Sequence, residues 1–294
     1  MPSGAGTTRA IAVISLAMLA VAWGAIPLFV RTDTPPTHLV AMRVTLGAVV
    51  LLLYSAATSK LSIPRINAGR LVVLGLVLAA HWLSFFLSLN LTTVAVSLAI
   101  VYIGPVLAAV FAGPVLHERT GWHAFAGLAL AVVGMLLVVR PGSGATAAGV
   151  AAAGVSGALL AVIMLLGKPL AANLGGLTVA TWELVVASVV LAPFTVQAVR
   201  FSADAWPQFV ILGALFTGVA GVVYWSAMRQ LPVAVVSVIM YLEPASAVVW
   251  AAIFLSEQPD ALAWLGVGLV VAAGTIASRG TAEEVVGAPE ILRG

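Results

Sequence analysis

Cysteine is absent from all 294 residues, which excludes disulfides, thiolate metal sites and a cysteine nucleophile. Charge is almost as scarce. Thirteen Lys and Arg plus ten Asp and Glu make up 8% of the chain, against about a quarter in soluble domains. The basic residues are scattered and not interleaved with aromatics, so no nucleic-acid partner is expected. The four histidines are unclustered, and neither HExxH nor GxSxG occurs, which leaves no metal site, no catalytic residue and no cofactor to assign. What the chain has instead is apolar bulk: 62% hydrophobic residues and a mean hydropathy of +1.17. It reads as an integral membrane protein whose main partner is the lipid bilayer.

Apolar runs between charged or Pro/Gly breaks predict spans near 10–30, 36–56, 69–89, 92–112, 121–139, 147–166, 177–198, 206–226, 233–254 and 260–278. The first, Ala10 to Val30 between Arg9 and Arg31, is long enough to cross about 30 Å of hydrocarbon, so it is read as a span and not as a cleaved signal. Only "NLT" separates the third and fourth spans, which predicts a tight antiparallel pair. With the N-terminus placed inside, nine basic residues (Arg9, Lys60, Arg65, Arg70, Arg119, Lys168, Arg229, Arg279, Arg293) face the cytoplasm. Three (Arg31, Arg140, Arg200) lie outside, a bias that favours two cytoplasmic termini.

Tyr102, Pro105, Glu118 and Gly127 recur as Tyr241, Pro244, Glu257 and Gly266, each 139 positions later. The chain is a duplication. Residues 1–139 form the first five-helix repeat, 140–279 the second, and 280–294 a short cytoplasmic tail expected to be disordered. Because five is odd, the second copy enters the membrane from the opposite side. The expected fold is therefore all-α, ten transmembrane helices in two inverted repeats, an arrangement that suits transport around a site between the halves.

The segments "WGAIPLFVR" (23–31), "MRVTLGAVVLLL" (42–53) and the paired "YIGPVLAAVFAGPVLHE" and "YLEPASAVVWAAIFLSE" resemble the drug/metabolite transporter superfamily. The similarity is to its ten-helix EamA-type branch, and within that to YddG-like amino-acid exporters, over roughly residues 9–279. The resemblance implies an exporter or facilitator of small organic solutes, amino acids first and aromatic or other neutral ones among them, working by alternating access in the bacterial inner membrane; a monomer is expected, with an oligomer left open.

Ionisable side chains at membrane depth cost a few kcal/mol, about 2.5–3.5 on the cheaper insertion scales, so each needs a reason. Glu243, just before Pro244, faces Gly104 in the repeat alignment; it could hold a substrate ammonium or a proton, or satisfy backbone released by the proline. His81, on one helical face with Ser84, Phe85 and Ser88, is read as lining a cavity. Trp23, Phe85, Tyr102, Tyr224, Trp225 and Tyr241 complete the expected substrate-binding set, an aromatic chamber suited to an amphiphilic organic solute. Gly104, Pro105 and Pro244 are expected hinges. Arg43 and its counterpart Glu183 are expected to serve structure or gating without pairing with each other. Lys168 is read as a boundary anchor, and Glu118 and Glu257 as caps of the following helices or gate residues.

Two other functions compete. Multidrug proton antiporters of the same superfamily carry a carboxylate in the first helix, which Ala10 to Val30 lacks. An intramembrane enzyme would have to rest on His81 with Ser84 or Ser88, at a spacing with no oxyanion donors.

Overall fold

The computed structural model describes residues 4–29, 34–60, 62, 64–140, 145–199, 205–256 and 258–286. Among them the regular elements are all helical. Nine helices are long and apolar enough to cross a membrane: α1 (Gly6–Phe29), α2 (Pro36–Ala57), α3 (Arg65–Leu91), α4 (Val94–Leu116), α5 (Trp122–Val139), α6 (Ala147–Leu174), α7 (Gly176–Ala198), α8 (Trp206–Met228) and α9 (Val233–Phe254). A further helix, α10 (Ala261–Val286), carries the shorter apolar stretch Ala261–Ala277.

Local chemistry sets the ends. Pro36 opens α2, where its missing N–H costs nothing. Thr93 and Thr146 cap α4 and α6 by accepting from the Val96 and Gly149 amides. Gly175 stops α6 at φ 82°, a backbone conformation that glycine adopts without strain. That stop lies beyond the sequence expectation of residue 166. Pro169 removes one helical donor, yet the helix continues through it to Leu174. At the C-terminus α10 runs to Val286, so 280–286 are helical where a disordered tail was expected; 287–294 lie outside the described residues.

Four helices are interrupted. α1 breaks at Gly24 and Ala25. α4 and α9 break at Tyr102 and Tyr241, the repeat-matched pair. Each break lies three residues before a proline, and a proline at 105 or 244 leaves the carbonyl of Val101 or Met240 without its helical donor. α8 contains a π-helical stretch, Ile211–Val219.

The two repeats interleave instead of standing side by side. The principal pairs join opposite halves: α5 with α10, α2 with α7, α4 with α9, α3 with α6 and α7, α1 with α8 and α9, α4 with α6, and α2 with α8. Exchanging each helix for its repeat mate maps this set of pairs onto itself. α3 and α4, expected to form a tight hairpin, each pack chiefly on α6.

Glycines permit these contacts. A Cβ on Gly134 would lie 2.7 Å from the Gly266 carbonyl oxygen, and one on Gly266 would lie 2.6 Å from that of Gly134. The small-residue faces of α5 and α10 thus meet inside one chain. At their ends Arg140 grips Asp260 with two hydrogen bonds. At another corner Glu118 pairs with Lys168 of α6 and accepts from the Val233 amide at the start of α9. Glu118 therefore caps a helix of the other repeat, not the helix that follows it. Lys168 also donates to the Leu231 carbonyl, which makes it part of a linkage and more than a boundary anchor.

Candidate functional site

The repeat-matched tyrosines meet where α4 and α9 cross. Their rings lie 5.5 Å apart, and the Tyr241 hydroxyl donates to the Tyr102 carbonyl at 2.7 Å. One turn earlier on α9, Ser237 donates to the Pro105 carbonyl at 2.8 Å. Side-chain donors of α9 thus reach two carbonyls beside the break in α4.

Glu243 follows Tyr241 by two residues on α9. The Tyr102 hydroxyl neighbours its carboxylate, and the Arg43 guanidinium is the opposing charge within electrostatic reach. Its backbone is pressed against α1: a Cβ on Gly24 would come within 2.6 Å of the Glu243 carbonyl oxygen. A glycine is required at that crossing.

Arg43 is held by the π-helical stretch of α8. Its Nε donates to Thr217 Oγ1 at 2.8 Å and its Nη2 to the Phe216 carbonyl at 3.3 Å. Thr217 in turn donates to the Leu212 carbonyl five residues back, at 2.8 Å. That spacing is the register of a π-turn, which offers backbone carbonyls to side-chain donors. The guanidinium carbon lies 5.2 Å from the Trp82 ring centroid, a cation–π distance. Trp23 shares the same carbonyl, donating from Nε1 to Phe216 at 3.0 Å, with its ring 6.1 Å from Tyr224. Glycines 47 and 213 let α2 and α8 approach closely enough for this: a Cβ on Gly47 would lie 3.0 Å from the Gly213 oxygen.

Arg43, Glu243, Tyr102, Tyr241, Trp23 and Trp82 therefore form one cluster on α1, α2, α3, α4 and α9, with Arg43 and Trp23 held by Phe216 and Thr217 of α8. The expected set divides around it. His81 is buried with Nδ1 at 2.9 Å from the Ser156 carbonyl, which can only accept, so Nδ1 carries the proton. Ser156 Oγ returns a bond to the His81 carbonyl at 3.2 Å. This is a two-way tie between α3 and α6, with Phe85 stacked 6.5 Å from the imidazole. Trp225 donates to Glu183 at 2.6 Å and lays its ring where a Cβ on Gly167 would stand, 2.0 Å away. Glu183 and Trp225 are thus placed in packing between α6, α7 and α8, and Tyr224 bridges that packing to Trp23. No hydrogen bond or ion pair joins Arg43 to Glu183 among the described contacts. Glu257 lies outside the described residues.

Sequence reasoning missed Trp82, Phe216 and Thr217. Trp82 adjoins His81 but faces a different way on the helix. Thr217 is the one hydroxyl in "ILGALFTGV" and is flanked by Gly213 and Gly218. That pairing was the available signal.

The family profile of the EamA-like transporter family matches residues 10–140 and again 147–279. The chain belongs to the EamA-like transporter family. As an EamA-like transporter it is a multi-pass membrane protein, in agreement with its apolar helices. It is 23% identical over 288 residues to an uncharacterized transporter, YxxF, of Bacillus subtilis (strain 168), spanning 92% of this chain and 90% of the relative. It is 34% identical over 175 residues to a probable terminal-alkyne amino-acid exporter of Streptantibioticus cattleyicolor, a stretch covering 56% of this chain and 58% of that one. A crystal structure superposes with a TM-score of 0.78 at 18% identity, covering 91% of this chain and 98% of the other. That last likeness speaks for the fold alone.

Proposed function

We propose that this transporter exports amino acids, aromatic or other neutral ones included, from the cytoplasm across the bacterial inner membrane by alternating access. The carrying observation is Glu243. It is a carboxylate on an interrupted helix at the seam between repeats, with a tyrosine hydroxyl and other aromatic side chains as neighbours. Such a group at membrane depth is a functional site by default, and its chemistry suits a substrate ammonium. The exporter named among the relatives supports the substrate class, and both curated relatives are bacterial.

The topology in this reading is ten spans in two inverted repeats, 1–139 and 140–279, with both termini cytoplasmic. Three linkages support it. Glu118, Lys168 and the start of α9 meet at one end of the bundle, where Arg9 also acts on Lys168. Arg140 and Asp260 meet at the other ends of their helices. Thr146 at the start of α6 donates to the Leu91 carbonyl at the end of α3, at 2.6 Å. An odd number of spans per repeat brings these termini to common faces. The Glu118–Lys168 linkage would then lock the cytoplasmic side and part when the transporter opens there.

The test is counterflow in proteoliposomes with radiolabelled amino acids. Wild type should accumulate label. Glu243→Gln should lower the rate at least about tenfold, as expected for loss of a charge-assisted contact of about 1.5–3 kcal/mol. Counterflow of no amino acid by folded protein would overturn the substrate class; an unchanged rate in Glu243→Gln would overturn the site.

A further inference from the structure

We propose that Arg43 and Glu243 form the two poles of a zwitterion receptor, with the Arg43 guanidinium taking the substrate carboxylate while Glu243 takes the ammonium. The proposal rests on the amino-acid reading above and assigns its second contact.

Guanidinium geometry leads to it. Arg43 presents five N–H donors in a planar fork. Its Nε and Nη2 share one edge of that fork, and α8 holds this edge through Thr217 Oγ1 and the Phe216 carbonyl. The Nη1–Nη2 edge lies outside these two bonds, and a carboxylate binds such an edge in bidentate fashion. Thr217 and Phe216 are themselves positioned by the π-turn and by the Trp23 indole, so the fork is fixed before any ligand arrives. Trp82 supports the cation with its ring face. A purely structural arginine would not need this much orientation from three helices while facing the carboxylate of a fourth.

Charge balance points the same way. Without substrate the two side chains offset each other's charge, which makes two ionised groups at this depth tolerable. A zwitterion inserted between them gives each charge a partner in contact and leaves the net charge of the site unchanged. An amine without a carboxylate would leave Arg43 facing a new cation with its counter-ion engaged. An acid without an amine would do the reverse to Glu243. The pair thus selects against singly charged analogues by electrostatic mismatch, not by shape.

The experiment is competition in the counterflow assay. Labelled L-phenylalanine and L-leucine are tested against phenylethylamine and isoamylamine, which lack the carboxylate, and 3-phenylpropionate and 4-methylpentanoate, which lack the ammonium. In wild type each singly charged analogue should inhibit at least about tenfold more weakly than its parent amino acid, since one lost charged contact is worth at least about 1.4 kcal/mol. Arg43→Gln should bring the amines level with the amino acids, and Arg43→Lys should restore part of the gap. Glu243→Gln should favour the acids instead. Amino-acid counterflow with wild type blind to the missing carboxylate would overturn this proposal and leave the amino-acid reading intact. So would an Arg43→Gln protein that keeps its preference. The wild-type profile can still overturn the proposal if a variant fails to fold. If none of the tested amino acids is transported, the amino-acid reading falls, and this assignment with it.

Discussion

His81 has a partner in the folded chain that its own helix does not reveal. Its neighbours at three, four and seven residues made a polar and aromatic stripe, and a cavity role followed. In the folded chain Nδ1 is committed to Ser156 on α6, which repays the bond to His81's own carbonyl. Replacing His81 by Ala removes a buried tie and leaves the Ser156 groups unmatched, at an expected cost of about 1–3 kcal/mol. A lowered melting temperature in detergent, with the counterflow KM for amino acid retained, is the expected outcome. A raised KM with unchanged melting would return His81 to the substrate site. Glu243 was legible because the repeat alignment set it against Gly104, and Tyr102 with Tyr241 because the same offset paired them. Arg43's partners were not legible. They depend on a π-turn in α8, and no propensity in "ILGALFTGV" announces an i–5 register.

Among the helices, the prolines at 105 and 244 interrupt α4 and α9 at matched tyrosines, as the paired motifs led one to expect. A proline inside a helix removes a hydrogen bond and costs about 3 kcal/mol relative to a good helix former. Substituting Ala at 105 or 244 should therefore raise the melting temperature and, if the breaks serve as the proposed hinges, slow counterflow. A faster or unchanged rate would remove these positions as hinges. Pro169 looked from sequence like a helix end and is not one. The fifth and tenth helices were recognisable by their small residues, but their use within one chain was settled only by the Gly134–Gly266 approach.

For the whole molecule, interleaving makes the two repeats one body, and short linkages at the helix ends close it. The Arg140–Asp260 pair is exposed, so its contribution is modest and screened by salt. Arg140 donates two hydrogen bonds to the Asp260 carboxylate and holds it down to about 2, with the Ala263 amide adding to the effect. An unfolded Asp protonates near pH 3.9, within the range of model carboxylates. The folded state thus binds this proton less readily than the unfolded one, and the pair's contribution is present above about pH 4 and fades as pH falls toward 2. Asp260→Asn should melt slightly below wild type at pH 7, with the difference closing as pH approaches 2. A difference that persists there would assign the effect to the helix cap at Ala263. That the chain is a duplication could be read from the sequence; the interleaving could not, because periodicity reports which face of a helix is apolar and not which helix covers it.

The tyrosine pair at the seam carries one last consequence. Two residues related by a pseudo-two-fold axis could each donate to the other's carbonyl, but of this pair only Tyr241 does so; the Tyr102 hydroxyl neighbours Glu243 instead. If the halves trade conformations, as inverted repeats do, the roles trade as well. Tyr102 would then turn to the Tyr241 backbone, and the acid would lose that neighbour. The crossing would act as a toggle that leaves the carboxylate beside a tyrosine hydroxyl on one side of the membrane and without it on the other. Tyr102→Phe should level that difference, seen as equal substrate affinities measured from the two faces.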